Sequence, residues 1–207
     1  MKQATYTLDP IRLKPIQLKI VEREKRRSMI EDIISKKAAS SEAVLQCFDS
    51  LPTADIDFML GRWSGFEIRT GHPLDGLLEP TGWYGKLFED KDCVHPLLFY
   101  TRSKDSLYAV DPTLVPLTAP FPRSSALGVM MALARPFVQT KSSKARLRMI
   151  EFRGRATATM AYDSKPIFDH FARIDDRRVL GIMDLKGVPG PYAFCLERDE
   201  KPIKIRL

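Results

Sequence analysis

Each of the two tryptophans in this chain stands between glycines, in Gly61-Arg62-Trp63-Ser64-Gly65 and in Gly82-Trp83-Tyr84-Gly85, and both stretches head segments with strand character. Glycine lets a neighbouring backbone or ring approach where any side chain would collide, and it tolerates strong curvature. A tryptophan held between two such glycines can plug the end of a bent sheet with a large apolar plate while its indole N–H reaches a carbonyl. Further strand-like segments run from Pro96 to Arg102, Ser106 to Val110, Lys144 to Tyr162, Arg178 to Lys186 and Tyr192 to Glu197. They are short and punctuated by turn residues, with no strand-helix-strand rhythm, so they predict a mainly β fold in which an antiparallel sheet closes into a barrel. Within Lys144 to Tyr162 the apolar phase flips between Met149 and Ile150, which predicts a bulge or strong bend near Ile150 and Gly154.

Helices are expected in front of the sheet and in one insert. Ser28-Met29-Ile30-Glu31 has the form of a capping box and predicts a helix start. A second helix follows Ser40-Ser41-Glu42 and stops before Pro52, while the first twenty residues read as an extended arm. Four prolines between Pro112 and Pro122 exclude a central strand there, and Ala126 to Val138 then reads as a helix suited to cover the barrel mouth. The expected organisation is an N-terminal arm and helices over 1–50 and one barrel over 51–207. The latter divides into 51–110, a proline-rich and helical insert over 111–143, and C-terminal strands over 144–207.

Charge and cysteine usage narrow the function classes. No run approaches the roughly eighteen apolar residues of a membrane span, and the charged N-terminus does not fit a secretory signal, so the expected place is the cytoplasm. The net charge of +7 concentrates between Arg135 and Arg155, where seven basic residues face one acid. These alternate with Leu147, Met149, Ile150 and Phe152, as on a strand with one wet face, so nucleic acid is not the expected partner. Cys47, Cys93 and Cys195 are far apart and lack a CxxC spacing, indicating neither a disulfide framework nor a zinc site.

Several motifs in order carry a family resemblance. Gly61 to Gly65, Thr70-Gly71-His72-Pro73-Leu74-Asp75-Gly76-Leu77, Gly82 to Lys86, His95 to Phe99, Tyr162 to Phe171 and Leu180 to Gly187 resemble the GXWXG family, whose members join that signature to a second domain of unknown function. The resemblance covers about Leu51 to Glu197 and brings no established activity with it. At the level of fold the G-x-W start is similar to lipocalins and nitrobindins, which implies a calycin-like barrel around a small apolar ligand or haem. By that analogy Trp63 meets Arg198 in a cation-π contact on the barrel floor.

The expected function is binding of a small hydrophobic molecule, lipid, terpenoid or polyketide-like, in the barrel cavity. Its lining is expected from Trp83, Tyr84 and His95 on the early strands and from Phe99, Phe152, Met160 and Phe168 further on. The alternative is a cofactor-independent isomerase or cyclase in which Asp163, His170, Asp184 or Lys186 moves a proton. Asp163, Asp169 and His170 fall together in Tyr162-Asp163-Ser164-Lys165-Pro166-Ile167-Phe168-Asp169-His170-Phe171, and Asp184 and Lys186 share one strand face that points either inward or outward. Haem ligation by His72, His95 or His170 is a further alternative, although no cofactor or metal is called for by any motif. A homodimer, with or without exchange of the N-terminal arm, stays open.

Overall fold

The computed structural model describes residues 15–116 and 124–207. Helix α1 (Pro15–Lys36) is continuous through Ser28 and Glu31, so the expected capping box lies inside a helix. Proline suits the first helical turn, whose N–H groups lack partners in any case, and the arm expected over the first twenty residues is already helical from Pro15. Its earlier part lies outside the described residues. Helix α2 (Ser41–Ser50) starts where the sequence places it, with the Ala43 amide donating to the Ser40 hydroxyl. A helical turn, α3 (Ile56–Met59), capped by Asp55, then precedes the sheet.

Eleven strands are described: β1 (Gly61–Ile68), β2 (Trp83–Phe88), β3 (Val94–Tyr100), β4 (Ser106–Val110), β5 (Gln139–Thr140), β6 (Ala145–Phe152), β7 (Arg155–Tyr162), β8 (Ile167–Arg173), β9 (Arg178–Leu185), β10 (Tyr192–Arg198) and β11 (Lys204–Arg206). Two helices interrupt them, α4 (Leu78–Thr81) and α5 (Ser125–Val138). The sheet runs β11-β4-β3-β2-β1-β10-β9-β8-β7-β6, and β5 joins β4. All neighbours are antiparallel except the pair β11 and β4. The sheet curls until β6 meets β3 through Val94 and Ala145.

The long segment from Lys144 to Tyr162 is a hairpin, correcting the expected bulge. Phe152 pairs with Arg155 across a two-residue turn in which Arg153 (φ 52°) and Gly154 (φ 76°) are both left-handed, the geometry that matches strand twist in a tight hairpin. The phase flip between Met149 and Ile150 falls within β6, whose pairing with β7 is regular, and marks a change in which face is covered: Leu147 belongs to the enclosed core, whereas Phe152 packs outside against Phe48.

Alternation along β9 and β10 separates two apolar layers. Val179, Met183, Leu185, Tyr192, Phe194 and Leu196 face the enclosed side, while Leu180, Ile182, Ala193 and Cys195 face out and pack under Ile30, Ile33, Val44 and Phe48 of α1 and α2. Among the described residues no helix is long and apolar enough to cross a membrane.

The tryptophan motifs pack reciprocally. In the β1–β2 pair Ser64 lies opposite Gly85, and a Cβ on Gly85 would fall 2.0 Å from the Trp63 carbonyl oxygen. A Cβ on Gly65 would fall 2.7 Å from the Trp83 ring. Trp63 itself donates its indole N–H to the Met59 carbonyl at 2.7 Å, and the Arg198 guanidinium lies 4.4 Å from the ring centre, as the analogy implied. Gly85→Ala is expected to cost more than about 4 kcal/mol or to prevent folding, because the clash is with backbone and φ is +148°. Gly154→Ala, in open space, should cost about 1–2 kcal/mol. Chemical denaturation of the two variants checks this difference.

Candidate functional site

The enclosed face leaves a cavity of about 150 Å³ bounded by β2, β3, β8, β9 and β10 and covered by the α4 region and α5. Its walls are apolar, with Trp83, Phe99, Met183 and Phe194 from strands and Leu127 and Met131 from α5. Three charged side chains break this surface: Lys165, which donates to the Val115 carbonyl at 3.2 Å, and the paired Lys86 and Asp169. The Lys86 ammonium donates to Asp169 Oδ2 at 2.8 Å, and the two side chains are 3% and 2% exposed. Among the described residues no other ion pair has both side chains so deeply buried. Lys86 Nζ also donates to the Pro96 carbonyl at 3.2 Å and lies 5.0 Å from the centre of the Phe194 ring and 5.8 Å from those of Trp83 and Tyr162. Asp169 Oδ1 and the Trp83 indole N–H have no partner among the described residues. Burial pushes the Asp169 carboxyl above its ordinary range, and the adjacent ammonium pulls it back only in part.

An irregularity in β2 makes Lys86 an inward residue. The register with β3 shifts between Trp83 and Gly85 and again between Gly85 and Leu87. Trp83 and Lys86 therefore both reach the cavity, whereas strict alternation would have placed Lys86 on the face of Tyr84. Asp169 needs no irregularity, since it shares its face of β8 with Ile167 and Phe171, both in the enclosed layer. At the rim, Thr70 to Leu77 forms a loop in which Asp75 Oδ2 accepts from the amides of Thr70, Gly71 and His72. Behind it, Tyr192 donates its hydroxyl to the buried Glu67 at 2.6 Å, and Glu67 also accepts from the Gly76 amide.

The expected site residues separate. Trp83 and Phe99 line the cavity, and Met160 lies in the enclosed core but not on the cavity wall. Tyr84 points away, as a strand neighbour of Trp83 must, and donates to Asp199 at 2.7 Å. Phe168 is exposed, and Phe152 lies outside the sheet against Phe48. His95 is buried near the start of β3, beside Glu89 and Cys93 of the turn that precedes it. Among the proton-transfer candidates, Asp163 pairs with Arg146 at the surface, and Asp184 and Lys186 are exposed. His170 faces outward, stacked on Phe152 at 3.8 Å between ring centres, with Nδ1 2.9 Å from the Thr159 hydroxyl. These four therefore do not meet in the cavity. None of His72, His95 and His170 lines it either, so haem held there would have no imidazole ligand from this set. Sequence reasoning passed over Lys86 and gave the role of Asp169 to its neighbour His170. The signal for Asp169 was the alternation of Ile167, Asp169 and Phe171 against Phe168, His170 and Ala172, in a strand that had not been recognised.

The fold and site define a mainly β protein whose sheet curls around an apolar cavity holding one buried ion pair. The GXWXG protein model matches residues 46–104 and the domain of unknown function DUF4334 matches residues 143–198, and the chain belongs to the GXWXG family with that C-terminal domain. A crystal structure of a protein from Thermomonospora curvata is similar, with 32% sequence identity and a TM-score of 0.65 over 85% of this chain and 99% of that one. No curated protein matches the chain.

His170 offers a pH test of its outward, structural placement. Burial lowers its pKa to about 4, below the ordinary 6.5, so the folded state binds fewer protons than the unfolded state between these values. The stability this histidine contributes is complete above pH 6.5 and is lost on acidification towards pH 4, by up to about 3 kcal/mol. In His170→Phe, denaturation series at pH 7 and pH 4.5 should show a smaller acid loss than in the wild type; an equal loss would refute the assignment.

Proposed function

We propose that the curled sheet works as a closed, calycin-like barrel that binds a small, mostly apolar molecule in the cavity, with a polar group of that molecule meeting the Lys86–Asp169 pair. The observation that supports this reading most is the pair itself, two charges removed from water inside a mostly apolar chamber. Apolar residues of similar volume are commonly as stabilising as a buried ion pair, so such a pair is poorly explained by stability alone. The Asp169 oxygen and the Trp83 N–H without partners among the described residues fit the same reading, since buried polar groups are nearly always satisfied. A space of about 150 Å³ suits a molecule the size of a single ring. A longer terpenoid or polyketide-like ligand would require α5, which contributes Leu127 and Met131 to the roof, to move outward.

A second reading follows from Asp169. A carboxyl with raised proton affinity beside an ammonium, in a water-poor chamber, is suited to give or take a proton, so the same cavity can serve a cofactor-independent isomerase or cyclase. In that reading Asp169 takes the acid or base role first assigned to Asp163, His170 or Asp184, and Lys86 stabilises its charged form.

Native mass spectrometry of the protein purified from an unrelated host should reveal a bound apolar molecule. Lys86→Met and Asp169→Leu are each expected to destabilise by about 3–5 kcal/mol, because each strands one buried charge, and the double variant should recover most of the loss. The double variant should bind the same molecule at least about tenfold more weakly, a loss of one hydrogen-bonded polar contact. Unchanged affinity would remove the pair from the binding site. Isomerisation or cyclisation of the ligand by wild type but not by Asp169→Asn, with binding retained, would select the enzyme.

A further inference from the structure

We propose that Glu89, Cys93 and His95 form a binding site for a divalent transition metal ion of the zinc type, separate from the cavity. The carboxylate, thiol and imidazole donor atoms all lie within 4.8 Å of one another. One oxygen, Glu89 Oε2, sits 2.9 Å from Cys93 Sγ and 3.6 Å from His95 Nε2. Donors around a tetrahedral zinc ion stand roughly 3.3–3.6 Å apart, given its usual bond lengths to sulfur, nitrogen and oxygen. The imidazole is already at that distance from the carboxylate, and the thiol needs to withdraw by about half an ångström once its proton no longer bridges to Glu89.

A second observation points the same way. His95 is 2% exposed, its Nε2 makes only a long 3.6 Å contact to Glu89 Oε2, and its buried Nδ1 has no hydrogen-bond partner among the described residues. A buried imidazole so poorly satisfied is costly, and a ligand at Nε2 offsets part of that cost. Nε2 faces the Glu89 carboxylate, and a metal ion placed among the three donors would bond this nitrogen, which now makes only a long contact.

The turn that carries the donors is held from both sides. The Asp92 and Cys93 amides donate to Asp90 Oδ1, at 2.6 and 2.8 Å, and the Glu89 amide donates to the Cys93 carbonyl at 3.0 Å. From β6, the Leu147 amide and the Arg148 guanidinium both donate to the Lys91 carbonyl, and Arg148 pairs with Asp92. Such fixing lowers the ordering cost of assembling a metal site. One thiolate, one imidazole and one carboxylate form a borderline-soft set that favours zinc over magnesium or calcium. Three protein donors with Glu89 half exposed leave the fourth position to water, the open arrangement of zinc sites that do chemistry rather than the closed one of purely structural sites. Binding replaces the thiol proton, which leaves to solvent, so uptake releases about one proton per ion near neutral pH.

Cobalt(II) is the direct probe. The chelator-treated full chain, titrated with cobalt(II) under reducing conditions, should develop thiolate-to-cobalt charge transfer in the near ultraviolet and the visible bands of four-coordinate cobalt, with one ion bound and full displacement by zinc. Cys93→Ser should abolish the charge transfer, and Glu89→Gln should weaken zinc binding at least about tenfold. Both residues are accessible enough to change without opening the core, and circular dichroism verifies their folds; His95 is too buried to bear the test alone. Absence of charge transfer, binding that requires millimolar metal, or charge transfer persisting in Cys93→Ser would each overturn the site, the last by moving it to another cysteine.

Discussion

Trp63 holds the two ends of the fold in one piece. Its indole N–H is bound to Met59 in the helical turn before β1, its ring carries the Arg198 guanidinium from the end of β10, and Arg198 donates onward to the carbonyls of Leu60 and Phe58. Trp63 and Arg198 are also direct partners in the β1–β10 register. The β1–β10 pairing is the main join between the early strands and the late ones; the others are the short β3–β6 contact and the three-residue pairing of β11 with β4. Fixing the corner of β1 by a cation-π contact and three carbonyl bonds fixes the angle at which the halves meet, and that angle decides what the enclosed face contains.

The fold was legible wherever one residue type has one physical use. Gly-x-Trp-x-Gly, the serine before α2 and the apolar helix before Val138 all specify local geometry through sterics or capping. The site was less legible because its two polar members depend on register. Lys86 is inward only because the β2–β3 pairing slips around Gly85, and no period count over Trp83 to Phe88 can show an irregularity that exists only between two strands. Asp169 obeys simple alternation, but its strand follows a hairpin whose turn at Arg153 and Gly154 reads in sequence as a bend. His170, the more conspicuous residue for proton chemistry, occupies the opposite face and meets Phe152 and Thr159 under the helices. A shift of one residue exchanges a catalytic expectation for a structural one.

Burying a charge pair in an apolar chamber also ties the two family segments to each other. Lys86 belongs to the GXWXG segment and Asp169 to the C-terminal one, and the buried Glu67–Tyr192 bond crosses the same boundary. Either segment alone would leave an ionic or hydrogen-bonding group in its apolar surface without its partner, a penalty of several kcal/mol for the charge. The sheet pairing β1–β10 can form without either contact, yet the chamber needs both segments, since its walls come from β2 and β3 on one side and β8, β9 and β10 on the other. Two segments that are each incomplete in polarity therefore make one compartment, and the polar group that finishes each of them is the same one that gives the cavity its chemistry.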